Sequence, residues 1–105
     1  MNIPEVILKK VRVATRLQEE EFNAYLELLQ KEGDTYCRTF LITDEVEQTV
    51  LNLCVELYVQ YQLFSKIEYE DISKDKLDTL HSIINSFNSN YNKKQPTIAK
   101  GVQFI

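Results

Sequence analysis

The apolar residues of the chain fall at helical spacings over most of its length. From 73 to 92, Leu77, Leu80, Ile84, Phe87 and Tyr91 recur three or four apart and draw a single stripe, which predicts a helix packed along that side. Ser73 stands where an N-cap is wanted, Asp75 lies in the first turn, and Ile72 is placed to staple against Leu77. A second helix is predicted over 44–65, opened by Asp44 with Glu47 three residues on, an acidic form of the capping box. Val46, Val50, Leu53, Leu57 and Phe64 make one stripe on it, and Leu51, Cys54, Tyr58 and Tyr61 make another alongside. So wide an apolar face belongs either at the centre of the core or to a surface shared between core and partner. Tyr58 and Tyr61 are the candidate partner-interface residues, because a tyrosine ring supplies apolar area while its hydroxyl tolerates a wet rim. The short acidic connection over 66–72 predicts an antiparallel hairpin of these two helices.

Residues 18–32 predict a third helix, with three glutamates in its first turns, Phe22, Leu26 and Leu29 at helical spacing, and Gly33 as the C-terminal glycine. The segment before it reads in two ways. Val11, Val13, Thr15 and Leu17 alternate with Arg12, Ala14 and Arg16 as in a strand; alternatively, 10–17 closes a helix that starts near Pro4. A helical stripe through Ile7, Val11 and Ala14 next meets Gln18 and Glu21, both polar, and this loss of phase favours the strand. Beyond Asn85 the composition turns to asparagine and lysine, a pattern that frays. Thr97 to Ile105 reads as an edge strand or a free end. The expected fold is mainly α: a short N-terminal strand followed by four helices, in one domain over 1–105 with a tail at 93–105.

Composition agrees with that class. A chain of 105 residues can bury one good core, and two glycines with two prolines leave little material for a turn-rich β sandwich. Cys37 and Cys54, seventeen apart, form neither a close metal-binding pair nor the framework of a secreted domain, so reduced buried thiols are expected. Residues 1–10 hold only the short apolar run Val6 to Leu8 behind Glu5, so no secretory signal is expected there. Val50 to Val59, interrupted by Asn52 and Glu56, is far short of the roughly 18 apolar residues of a membrane span, so a cytoplasmic protein is expected.

Charge is divided more sharply than its net of −4 suggests. The first sixteen residues carry Lys9, Lys10, Arg12 and Arg16 against Glu5 alone, whereas the other 89 carry eight Lys or Arg against fifteen Asp or Glu. A basic stripe of this kind is either a solvated edge or a source of phosphate contacts. Catalytic signals are missing. His81, the single histidine, falls beside Leu80 on a packed helix and reads as a core-boundary residue. The carboxylates cluster at helix starts and in a loop rather than in a pair with separated acidities, and there is no zinc spacing, calcium loop or phosphate-cradling glycine loop. No enzyme, metal or cofactor is expected.

Residues 10–42 read KVRVATRL, then QEEEFNAYLELLQKEG, then DTYCRTFLI: an alternating basic strand, an acid-started helix ending in glycine, and a second helix capped by a hydroxyl residue. This order resembles the ribbon-helix-helix DNA-binding family over about a third of the chain. The resemblance implies a dimer in which two strands pair into a ribbon that enters the major groove. Lys9, Lys10, Arg12, Ala14 and Arg16 would then meet DNA, Val11, Val13, Thr15 and Leu17 would pack on the helices beneath, and the amides near Thr35 and Tyr36 would hold a backbone phosphate. Asp34 departs from the family pattern, which places an apolar residue after the glycine, and Thr43 with Asp44 shortens the second helix. The function implied is a small DNA-binding regulatory or accessory protein acting as a homo-oligomer, with 44–92 as a helical hairpin extension. The alternative, drawn from the acidic helices and the Tyr58 and Tyr61 face, is a small α-helical protein-binding module of inhibitor or immunity type that uses no nucleic acid.

Overall fold

A computed structural model of the chain describes residues 3–94, which form four helices: α1 (Glu5–Thr15), α2 (Glu19–Phe40), α3 (Gln48–Lys66) and α4 (Glu70–Lys94). The mainly α expectation holds. The N-terminal strand does not, since no strand occurs among the described residues. Val11 and Val13 explain the correction. On a strand they would share one face, but about 200° separates them around a helix; Val11 is fully buried against α3 while Val13 is 77% exposed. The alternation that suggested a strand was coincidental, and the loss of helical phase marks a break between two helices. Arg16 turns into the left-handed region at φ 57°, and α2 starts afresh where the Glu21 carboxylate accepts the Gln18 amide at 3.0 Å.

Gly33, the expected helix end, lies inside α2 and is buried. A β-carbon on it would stand 3.1 Å from Tyr58 Cδ2 and 3.2 Å from Val55 Cγ1. The glycine therefore serves the close approach of α2 to α3 rather than a turn, and the two helices of the supposed ribbon-helix-helix unit are one rod of 22 residues.

α3 is the centre of the molecule and packs against each of the other three helices. Of its doubled stripe Leu51, Cys54, Leu57 and Tyr58 are buried, together with Val59 and Leu63 from outside the stripe, whereas Leu53 is 47% exposed and Val46 precedes the helix. Two apolar clusters lie along it. One gathers Val11, Phe22 and Leu29 around Val59 and Leu63, and the other gathers Cys37, Leu41, Leu80 and Ile84 around Cys54 and Leu57, with Val55 touching both.

The helix boundaries shift from those expected because side chains found more distant partners. Asp44 does not cap α3, which begins at Gln48; it lies in the preceding turn, 3.6 Å from Arg38. Ser73 is not an N-cap either. It sits one turn inside α4, buried, with its hydroxyl donating to the Tyr61 carbonyl of α3 at 2.8 Å, and Ile72 is exposed rather than stapled.

The α3–α4 hairpin turns on Glu68 at φ 63°. The Tyr69 amide donates to the Phe64 carbonyl and the Glu68 amide to that of Ser65, and the Tyr69 and Phe64 rings stack at 6.1 Å. This is a Schellman ending with its apolar contact, built without glycine. α4 also continues through the asparagine-rich stretch expected to fray. The closing segment 97–105, expected as edge strand or free end, lies outside the described residues.

Candidate functional site

Four aromatic rings and one imidazole meet where α2, α3 and α4 converge. Tyr36 and Phe40 lie one turn apart on α2, so their rings project together at 5.0 Å. Tyr36 also meets Tyr58 of α3 at a tilt, with ring centres 5.0 Å apart, and Tyr58 meets Tyr61 edge-on at 6.0 Å. His81 enters from α4. Its Nε2 lies 2.6 Å from Tyr36 Oη, and its ring stands edge-on to Phe40 at 4.9 Å. Burial, with Tyr61 and Tyr58 close by, pushes the Tyr36 hydroxyl above its ordinary acidity range, so it stays protonated at neutral pH. With the imidazole proton on Nδ1, Tyr36 donates to Nε2.

The cluster is held from below and bared above. Tyr58 is buried and receives the Gln62 amide at 3.0 Å, whereas Phe40 remains 44% exposed. Asn88 of α4 fixes the end of α2 beside it: its Nδ2 donates to the Phe40 carbonyl at 2.9 Å, and its Oδ1 accepts the Ile42 amide at 3.1 Å. Ile42, 50% exposed, extends the apolar edge. An open groove lined by Lys31, Glu32, Thr35, Tyr36, Thr39 and Tyr58 supplies a polar rim. No carboxylate lies within ion-pair distance of His81 among the described residues.

The residues proposed for DNA divide between two places. Lys9, Lys10, Arg12 and Ala14 lie on α1 and Arg16 at its end, all exposed. They do not share one face: Lys10 and Ala14 border the α3–α4 turn, with Lys10 Nζ donating to Tyr69 Oη at 3.0 Å, while Lys9, Arg12 and Arg16 flank Val13 elsewhere. Thr35 and Tyr36 lie in the interior of α2, so their amides belong to the helix ladder and cannot open toward a phosphate. Of the expected interface pair, Tyr58 forms the floor of the aromatic cluster and Tyr61 its half-buried side. Phe40 and His81 belong to this cluster although no local spacing singles them out as a pair. Spacing groups Phe40 with Tyr36, but only the packing of α4 across α3 brings His81 to them.

The chain matches no family model, and neither the curated proteins nor the solved structures contain a significant match to it. No helix among the described residues is long and apolar enough to cross a membrane.

Proposed function

We propose that this protein is a small helical protein-binding module that presents the aromatic face of α2 and α4 to another protein and works without nucleic acid. One observation carries the reading. Phe40 is held in the open by contacts on its own side: the His81 ring edge-on at 4.9 Å, Tyr36 at 5.0 Å, and the Asn88 clasp on its carbonyl. An aromatic side chain fixed before binding loses little conformational freedom on docking, and such residues, ringed by polar groups, dominate the energetics of protein interfaces. The groove beside it, bordered by Lys31, Glu32, Thr35 and Thr39, has the composition of such a rim. The β-ribbon reading has no counterpart here, because its strand is the helix α1 and its phosphate-holding amides lie inside α2.

The test is cross-linking of the tagged full-length chain in its source cells, comparing wild type, Phe40→Asp, and Arg12→Ala with Arg16→Ala. The expected result is a protein recovered with wild type and with the arginine variant but lost with Phe40→Asp, whose circular dichroism melt stays two-state. Recovery of nucleic acid that disappears with the two arginines, together with salt-sensitive binding to duplex DNA, would replace this reading.

A further inference from the structure

α1 carries a second apolar stripe, directly opposite the one it buries. Val6 and Val13, two turns apart, are 57% and 77% exposed, and Lys9, Arg12 and Arg16 flank them. Among the described residues none of these three cations is in an ion pair. The first half of α2 has the opposite character. Glu20, Ala24, Glu27 and Leu28 are exposed and lie on its outward side, Leu28 at 53%, and neither glutamate is in an ion pair among the described residues. Leu17 and Gln18, which join the helices, line one concavity with Lys9, Arg12, Val13 and Arg16, so the cationic stripe reaches the residue that precedes the glutamates opening α2.

A patch that is cationic and apolar on one half and anionic and apolar on the other is complementary to itself after a half-turn. We propose that the chain forms a two-fold dimer in which the outer face of α1 lies on the first half of α2 of a second copy, and reciprocally. Val6 and Val13 pack beside Ala24 and Leu28, while Lys9 and Arg12 face Glu20 and Glu27. Each contact occurs twice, which is what an isologous interface requires. A polyanion is the poorer occupant of α1. The other 89 residues hold eight cations against fifteen anions and repel one, and a valine 77% exposed at the centre of the patch offers nothing to phosphate. This dimer is independent of the aromatic face, which lies on the other half of α2 and on α4.

The experiment is a charge exchange read by sedimentation velocity at low micromolar concentration. Wild type is expected to be a dimer that weakens as salt rises. The Lys9→Glu, Arg12→Glu chain and the Glu20→Lys, Glu27→Lys chain are each expected to dissociate at least roughly tenfold more readily. Mixing the two in equal amounts restores the dimer, because every α1 then meets an α2 of opposite charge. Val13→Asp, at a position with no packing to lose, weakens the dimer while its helix content and melt match wild type. A monomeric wild type, a dimer indifferent to both exchanges, or a mixture that stays monomeric would each overturn the proposal. So would duplex DNA or phosphatidylserine vesicles binding α1 of a monomer.

Discussion

Tyr36 Oη lies 2.6 Å from His81 Nε2, a bond that ties the second half of α2 to α4 across the central helix. Deleting one partner leaves the other half-buried and unpaired. Tyr36→Phe is expected to cost about 1 kcal/mol and His81→Ala about 1–2 kcal/mol, the latter because Phe40 also loses the ring it leans on. A double-mutant cycle by urea unfolding checks this. The double variant should be less destabilised than the sum of the singles, and strict additivity would mean that the bond contributes nothing.

Gly33→Ala reverses the usual helix rule. Alanine ordinarily stabilises a helix interior by about 1 kcal/mol over glycine. Here the new methyl would meet Tyr58 and Val55 at 3.1 to 3.3 Å, in the seam between α2 and α3. A net loss of about 1–2 kcal/mol is expected from overpacking. A raised urea midpoint would show that the seam can yield.

Glu68 holds φ 63°, a conformation that strains any residue with a β-carbon. Its position in the α3–α4 turn is the one that glycine commonly fills. Glu68→Gly is accordingly expected to stabilise the protein by about 0.5–1 kcal/mol, visible as a rise in Tm at unchanged helix content.

Cys37 and Cys54 face each other across the α2–α3 seam, both fully buried. The hydrogen bond with Cys54, and then burial, push the Cys37 thiol well above its ordinary value of 9.0. The same bond pulls the Cys54 thiol down while burial opposes it, and because both sulfurs are closed off from water the neutral pair prevails, so the folded state keeps the Cys37 proton that the unfolded chain releases. The stabilisation is complete below the unfolded value and is lost as pH rises from there through the folded one. Denaturant midpoints measured from about pH 8 to about pH 10 should fall, and fall less steeply in a Cys37→Ala chain. In the native protein both thiols should react with an aromatic disulfide reagent only as fast as the seam opens, a rate that added urea increases.

The sequence by itself determined what depends on neighbours three or four residues apart. Leu77, Leu80 and Ile84 marked α4, Phe22, Leu26 and Leu29 marked the first half of α2, and the doubled stripe of α3 announced a helix that could be covered on several sides. It also marked the basic start of the chain. Tertiary structure decided what depends on contacts distant in sequence. Gly33 can end a helix or admit a neighbouring one, and only the approach of Tyr58 and Val55 selects the second. Val11 and Val13 alternate like a strand until α3 buries one and leaves the other in water. Ser73 has the chemistry of a cap but donates to Tyr61 instead. His81 comes beside Tyr36, 45 positions away, because α2 and α4 pack on the same central helix. Local periodicity encodes where helices form; which of their faces meet is settled by apolar burial over the whole chain, and the aromatic site belongs to that second decision.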